Sequence, residues 1–280
     1  MIVFSDMDGT LLTSEKRMSD GTWAMLDELA RRGIEFVPCT GRPLSGVFSE
    51  ILAHPAVHYV VSANGATVSQ LDGVHPDDAS RATVIYSAPL SRERAIAVHH
   101  IAQGHDVTFD VFADGRCYLE RSMYERLDEF SGGDANIAAS LKRTRTAVDE
   151  PADVTIGRVG MLERVAMYWH DPADRDAINA ALATLDGIET TRSYPMNIEV
   201  MGDSVSKGSA LTWLCGYLDI PVADAMAFGD NINDIPMIEA AGTGVAMLNA
   251  EPEDRAAADL VTRADNDHDG VALTVLAALQ

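Results

Sequence analysis

The sequence predicts an α/β protein with a parallel-sheet core that is interrupted by a separate α+β domain. Short apolar runs alternate with helical patterns near the start of the chain. Each run ends in a polar loop, as the strands of a βαβ series do. Between residues 81 and 193 the pattern changes to hairpins mixed with helices, and the first pattern resumes after Tyr194-Pro195. We therefore expect residues 1–80 and 194–280 to form the core and residues 81–193 to form an inserted domain.

Three strands and one helix are predicted in the first part of the core. The helix begins at the N-cap Ser19, carries its apolar residues on one face and ends at Gly33. Asn64-Gly65 is a strong turn signal after the third strand. Ligands bind beyond the carboxyl ends of the strands in open α/β sheets, so these loops are candidate functional positions. The strands are expected at residues 2–5, 34–39 and 58–62.

The inserted segment carries signals for both hairpins and helices. One predicted helix runs from Ser91 towards Gln103, and Asp171-Pro172 caps another. Asp114-Gly115 is typical of a hairpin turn because both residues tolerate a positive φ. The core pattern then returns with a helix that Ser206-Lys207-Gly208 opens and a buried strand at residues 225–228. The insert is therefore expected to fold as a unit distinct from the parallel sheet.

Composition restricts the classes of partner. The formal net charge of −22 disfavours nucleic acid, because its binding depends on neutralising phosphates with Lys and Arg. The three cysteines lack paired spacing, which predicts neither a disulfide framework nor a zinc site and fits a reducing cytoplasm. The N-terminus lacks the basic segment of a signal peptide, and the apolar stretch near the C-terminus is too short to cross a bilayer. We expect a cytoplasmic protein that binds neither nucleic acid nor membranes.

Two acidic clusters directly follow predicted strands. Asp6 and Asp8 come just after the first strand, and Asp230 and Asp234 follow the strand at residues 225–228. Since the carboxyl ends of parallel strands meet at one edge of a sheet, these carboxylates are expected to converge. Converging carboxylates repel one another unless a cation lies between them, and Mg²⁺ favours a few such oxygen ligands. The sequence therefore predicts a magnesium site at this edge.

Thr40-Gly41 and Lys207 supply groups that complement the acids. Thr40 offers a hydroxyl, and Gly41 offers unhindered backbone N–H groups at a predicted helix N-terminus, which is a ready anion site. Lys207 begins another helix and adds a point positive charge. A hydroxyl, amides, a lysine and a carboxylate-bound divalent cation are what phosphoryl transfer needs, because its catalysis is mostly positioning and charge neutralisation.

Four motifs stand in order along the chain, namely D-M-D-G-T-L-L, T-G-R, S-K-G and G-D-N-I-N-D. Together they resemble the four motifs of the haloacid dehalogenase (HAD) superfamily. The segments Asn64-Gly65-Ala66, 244–250 and 266–272 are similar to those of its Cof-type phosphatase branch. The resemblance implies a HAD-like Rossmannoid core. The large insert after the second motif resembles a type IIB cap, which is the substrate-specificity domain of such proteins.

The resemblance also implies roles for the motif residues. Asp6 is implied to attack phosphorus and become an aspartyl phosphate. Asp8 is implied to protonate the leaving oxygen and then activate water, with its backbone carbonyl on the metal. The implied Mg²⁺ ligands are Asp6, Asp8 and Asp230, and the implied phosphate-binding residues are Thr40, Gly41, Lys207 and Asn233.

The positions expected to support the site are Gly9, Thr10, Arg42, Asn64 and Asp234. Gly9 lets the acidic loop turn tightly, and Thr10 is implied to orient Asp8. Arg42 either contacts substrate or pairs with an acid, and Asp234 either ligates the metal or holds its ligands.

The expected function is a magnesium-dependent phosphatase that acts on a small phosphorylated metabolite, with a sugar phosphate as the first candidate. A sugar phosphomutase is one alternative, because some similarly capped relatives pass the phosphoryl group to another sugar. A non-catalytic regulatory or binding protein on the same fold is the other alternative.

Overall fold

The computed structural model of the protein describes residues 1–71 and 82–280. These residues form fourteen strands and eleven α-helices. The strands are β1 (Ile2–Ser5), β2 (Glu35–Pro38), β3 (Tyr59–Ser62), β4 (Thr67–Gln70), β5 (Thr83–Ser87), β6 (Asp110–Ala113), β7 (Arg116–Glu120), β8 (Arg145–Val148), β9 (Leu162–Tyr168), β10 (Ile188–Thr191), β11 (Asn197–Gly202), β12 (Ala225–Gly229), β13 (Thr243–Ala246) and β14 (Leu260–Val261). The helices are α1 (Asp20–Arg32), α2 (Ser49–Leu52), α3 (Arg92–Ala102), α4 (Arg121–Tyr124), α5 (Ala135–Thr144), α6 (Ala152–Arg158), α7 (Pro172–Leu182), α8 (Lys207–Tyr217), α9 (Ile235–Ala240), α10 (Pro252–Ala257) and α11 (Gly270–Ala278).

The chain divides into two compact units. The first comprises Met1–Gly41, Val47–Tyr86 and Ser206–Gln280, and the second comprises Arg42–Gly46 and Ser87–Val205. The expected boundary between residues 80 and 81 falls outside the described residues.

The expectation that the core resumes at residue 194 is corrected by β11. This strand pairs antiparallel with both β9 and β10, so its backbone hydrogen bonds lie inside the sheet of the second unit. The turn at Tyr194-Pro195 therefore connects two parts of the insert rather than two domains. Pro and turn residues mark a break in regular structure, but they do not say which sheet the next strand joins.

A five-stranded parallel sheet forms the centre of the first unit, in the order β14-β13-β12-β1-β2. All four residues of β1 and all five of β12 are buried, as in a parallel sheet that is covered on both faces. Apolar side chains of α8, such as Leu211 and Leu214, pack against Phe4 and Val37 on one face. The parallel core predicted from the apolar runs is confirmed.

Local signals set the ends of α1. The Ser19 side chain accepts a hydrogen bond from the Thr22 backbone N–H at 3.0 Å, which satisfies one of the free donors of the first turn. Gly33 ends the helix in the left-handed conformation, with φ of 64°. Both boundaries agree with the sequence prediction.

The strand ends of the first unit meet at one edge. The Cys39 N–H donates to the Ser5 carbonyl at 2.8 Å, and the Thr40 N–H donates to the Val61 carbonyl at 2.9 Å. The Asp6 N–H donates to the Phe228 carbonyl at 2.9 Å. These bonds extend the strand pairing by one or two residues and bring the loops after β1, β2, β3 and β12 together.

The second unit is built on a six-stranded sheet in the order β10-β11-β9-β6-β7-β8, in which only β7 and β8 run parallel. Its helices α3, α6 and α7 cover one face with an apolar cluster that includes Val98, Ile156 and Ile178. Alternate residues of the same strands point to the other face. There the ion pairs Asp110–Arg145 and Glu199–Arg164 are buried.

Among the described residues, no helix combines the length and the apolar character that a membrane crossing requires. The three cysteines are buried and carry free thiols.

Candidate active site

Asp6 and Lys207 form the centre of the site. Asp6 follows β1 directly and is 7% exposed, and Lys207 begins α8 with no exposed surface. The Lys207 Nζ lies 2.6 Å from Asp6 Oδ1 and 2.5 Å from Asp234 Oδ1. A buried ammonium is costly unless carboxylates surround it, so this bridge fixes all three side chains.

Asp230 and Asp234 occupy the loop after β12. The Thr10 hydroxyl donates to Asp230 Oδ1 at 2.6 Å. Asp234 Oδ2 accepts the backbone N–H groups of Asp230 and Asn231 at 3.0 and 3.1 Å. Asp234 thus holds both Lys207 and the loop that carries Asp230. The expected partner of Thr10 was Asp8, and its hydroxyl is directed to Asp230 instead.

The charges at this centre do not balance. Within the described part of the chain, the carboxylates of Asp6, Asp230 and Asp234 lie around one ammonium group, that of Lys207. Burial raises the pKa of Asp6 to about 7, although the Lys207 ammonium opposes the shift. The pKa of Asp230 is raised well above its usual range, mainly by burial and to a lesser extent by repulsion from the Asp6 and Asp234 carboxylates. Burial alone lowers the pKa of Lys207, but the two carboxylates that it contacts outweigh this and raise it.

This excess of negative charge fits a divalent cation. One carboxylate oxygen from each of Asp6, Asp230 and Asp234 lies within 4.8 Å of the others. Mg²⁺ takes a few carboxylate oxygens and keeps several waters, which matches a small group of acids at a loop edge. Since both oxygens of Asp234 already accept hydrogen bonds, Asp6 and Asp230 are better placed to act as metal ligands.

The loop between Asp6 and Thr10 carries the second acid. Asp8 Oδ1 lies 2.9 Å from Lys16 Nζ, and the Asp8 side chain is 34% exposed. Gly9 has φ of 87°, and a Cβ there would overlap the Asp230 carboxylate. The Asn249 side chain donates to the Gly9 carbonyl at 2.8 Å. The turn therefore requires glycine both for its conformation and for the space that Asp230 fills.

The expected phosphate-binding residues lie on adjacent loops. Thr40 is buried at the end of β2, and its carbonyl accepts the Asn64 backbone N–H at 3.1 Å. The Asn64 side-chain oxygen accepts from the Asn233 amide at 3.1 Å. A Cβ on Gly41 would lie 2.9 Å from the same Asn64 oxygen, so glycine allows this close approach.

Arg42 belongs to the second unit. Its Nη1 donates to the Gly46 carbonyl at 2.9 Å.

Sequence reasoning missed several residues that hold the acidic loop. The missed residues are Lys16, Asn249, Asn266 and Asp267. Asn249 and Asn266 stand in segments that match the Cof-type branch, but no role followed from the match. Lys16 lies in a turn with no motif, and its contact with Asp8 depends on the path of the chain.

Comparison with known proteins finds a family model and relatives that match over nearly the whole chain. A family model described as haloacid dehalogenase-like hydrolase matches residues 3–275. The phosphatase YwpJ of Bacillus subtilis (strain 168) is 27% identical over 296 residues, covering 97% of this chain and 97% of YwpJ. The pyridoxal phosphate phosphatase YbhA of Escherichia coli (strain K12) is 27% identical over 278 residues, covering 97% of this chain and 96% of YbhA.

A solved structure also matches over nearly the whole chain. It is that of a haloacid dehalogenase-like hydrolase from B. subtilis, with a TM-score of 0.82 and 24% sequence identity, covering 98% of each chain. At this level of identity the likeness establishes a common fold.

Proposed function

The chain belongs to the haloacid dehalogenase-like hydrolase family, and from this premise we propose that it is a magnesium-dependent phosphatase of small phosphorylated metabolites. The observation that carries the proposal is the buried bridge of Lys207 between Asp6 and Asp234, next to Asp230. It supplies a nucleophile, a cation for phosphoryl oxygens and carboxylates for a metal within one cluster.

In the first half-reaction, Asp6 is the nucleophile. One of its carboxylate oxygens attacks phosphorus and forms an O–P bond, while the bond from phosphorus to the substrate oxygen breaks. Asp8 gives its proton to that leaving oxygen, so the product departs as a neutral alcohol. Lys207 and the Thr40-Gly41 loop bind the phosphoryl oxygens and compensate their charge.

In the second half-reaction, water hydrolyses the aspartyl phosphate. Asp8, now a carboxylate, takes a proton from the attacking water as the new O–P bond forms. The bond between Asp6 and phosphorus breaks, which releases inorganic phosphate and restores the Asp6 carboxylate. One acid thus serves both steps, with its proton returned at the end of the cycle.

Mg²⁺ would be held by Asp6, Asp230 and the Asp8 backbone carbonyl, with Asp234 holding the loop. When bound, it would supply positive charge that offsets the negative charge of the phosphoryl group and of the acids. Thr10 keeps the Asp230 carboxylate oriented through the 2.6 Å hydrogen bond.

The second unit is proposed as the cap that selects the substrate. The groups around Asp6 recognise a phosphoryl group, which every phosphomonoester shares, so discrimination requires a different part of the chain. A sugar phosphate is the first candidate substrate, as the sequence resemblance suggested. Pyridoxal phosphate joins it on the test panel because the relative YbhA is named for that activity.

The decisive experiment compares the two acids. Asp6→Asn should form neither product nor phospho-enzyme, because the nucleophile is lost. Asp8→Asn should keep the nucleophile and lose the acid–base group, with turnover lower by about 10²–10⁴-fold. Asp27→Asn, the same substitution at an exposed position of α1, serves as the control and should match the unsubstituted protein. Near-normal turnover by Asp6→Asn would refute the covalent mechanism.

The metal and the alternatives are tested with the same purified protein. Exhaustive chelation should abolish hydrolysis of an aryl phosphate, and added Mg²⁺ should restore it; full turnover after chelation would refute metal dependence.

A sugar phosphomutase would instead transfer the phosphoryl group to an added sugar phosphate. A non-catalytic binding protein would release no phosphate from any member of the panel.

A further inference from the structure

Lys16 forms an ion pair with Asp8 that contributes little to the stability of the fold. Its Nζ lies 2.9 Å from Asp8 Oδ1, and the two side chains are 22% and 34% exposed. An ion pair this accessible to water contributes about 0–1 kcal/mol to folding. Lys16 also adopts φ of 59°, a left-handed conformation that costs a residue with a Cβ roughly 1–2 kcal/mol. The ion pair therefore contributes no more free energy than the left-handed backbone of Lys16 costs.

A tight turn places Lys16 beside Asp8. The Lys16 N–H donates to the Thr13 carbonyl at 2.8 Å, and the Thr13 N–H donates to the Arg17 carbonyl at 2.9 Å. Because these bonds close the turn on both sides, the Lys16 side chain leaves it in a defined direction.

A distant segment of the same unit anchors this turn. The backbone N–H and the hydroxyl of Ser14 each donate to the Asp267 carboxylate at 2.7 Å. The Asn266 amide donates to the Leu12 carbonyl at 2.9 Å. Strained backbone persists where surrounding contacts over-determine it, and such positions cluster at functional sites. Three hydrogen bonds from residues about 250 positions away thus hold in place a turn whose lysine contacts the acid–base residue.

We propose that Lys16 is a positioning residue that holds the Asp8 carboxylate in the orientation required for proton exchange with the leaving oxygen and then with water. This inference rests on the proposed function. A general acid must lie within hydrogen-bond reach of the atom that it protonates. The Asp8 side chain is partly exposed, and an ammonium at 2.9 Å on a fixed turn favours the Asp8 rotamer that it contacts. Lys16 acts through Asp8 and is not itself a catalytic residue.

The test begins with Lys16→Met, which keeps an unbranched side chain and removes the ammonium. We expect kcat to fall by about 10–100-fold, since a misplacement of about 1 Å costs on the order of 10². KM should change little, because the groups that bind the phosphoryl oxygens are unaltered. Lys16→Arg should recover much of the rate, since a guanidinium retains the charge and the hydrogen bond.

Arg17→Met is the matched control. It removes the same charge from the next residue of the same turn, and Arg17 pairs with Glu15 at an exposed position. If charge near the site or integrity of the turn were the cause, the two methionine variants would lose activity together. Equal kcat values for Lys16→Met and Arg17→Met would overturn the inference.

A double-mutant cycle with Asp8 decides whether Lys16 acts through that residue. In an Asp8→Asn background, Lys16→Met should cost nothing further, because the group that it positions is already absent. Losses that multiply in the double variant would overturn the inference. Thermal unfolding of each variant checks that the fold is intact. An inactive unsubstituted protein would instead refute the proposed function itself, so the two failures are distinguishable.

Discussion

Replacing Asp254 with asparagine should change how the stability of the protein depends on pH. Asp254 lies in α10 and has no exposed surface. Neither of its carboxylate oxygens has a hydrogen-bond partner among the described residues. Burial raises the pKa of Asp254 to about 8, with the Asp234 carboxylate adding to the shift and the Lys207 ammonium opposing it. The folded protein therefore holds a proton that the unfolded chain releases near pH 3.8.

The sign and size of the effect follow from proton linkage. Between these two pKa values the folded state binds one more proton than the unfolded state, so stability falls as pH rises. The slope is about 1.4 kcal/mol per pH unit, and it levels off near the folded pKa. From pH 6 to pH 8 the unfolding free energy should therefore fall by about 2 kcal/mol more in the unsubstituted protein than in Asp254→Asn.

Urea unfolding at pH 6 and pH 8 in the presence of a chelator measures this difference. The pKa values of Asp6 and Glu163 are also raised by burial, to about 7, but both residues are present in both proteins, so the comparison reports the effect of removing the Asp254 carboxyl group. Glu253→Gln removes the same charge from an exposed position of the same helix and should leave the pH dependence unchanged. Parallel pH profiles for Asp254→Asn and the unsubstituted protein would refute the reasoning.

Three further substitutions test contacts inside each unit, two in the first unit and one in the second. Gly9→Ala should lower kcat by on the order of 100-fold with circular dichroism unchanged, because its φ of 87° and the nearby Asp230 carboxylate exclude a Cβ. Lys207→Met should cost about 3–5 kcal/mol in urea unfolding without metal, and added Mg²⁺ should recover more of the melting temperature than it does in the unsubstituted protein. Asp110→Asn should destabilise the fold by about 3–5 kcal/mol, because Arg145, 2.7 Å away, would keep a buried charge; a loss below 1 kcal/mol would contradict this account.

Much of the candidate site could be located from the sequence, because its residues stand directly after strands. Asp6 follows the buried run Ile2–Ser5, and Asp230 follows β12. In a parallel sheet such positions share an edge, so local sequence indicates a tertiary arrangement. Lys207 was predicted to bind the phosphoryl oxygens through its positive charge. Its second contact, with Asp234, follows from the geometry of the loop after β12.

Long-range pairing explains what the sequence left undetermined. The sheet that β11 joins is set by its pairing with β9 and β10. The turn residues at Tyr194-Pro195 carry no information about a partner strand. The turn that carries Lys16 is held by hydrogen bonds that Ser14 donates to Asp267, more than 250 positions away. No spacing rule connects these positions.

By itself the sequence determined the parallel core, the ends of α1 and the acids that follow the strands, because each depends on neighbouring residues or on the shared edge of a parallel sheet. The tertiary structure alone decided that Asp254 is buried with no hydrogen-bond partner among residues 1–71 and 82–280, and that the Thr10 hydroxyl donates to Asp230. Burial and partner choice are properties of the packed chain, since they depend on which surfaces meet after the strands have paired. A polar residue at the end of a strand is visible in the sequence, whereas the atom that it contacts is fixed only when the distant loops come together.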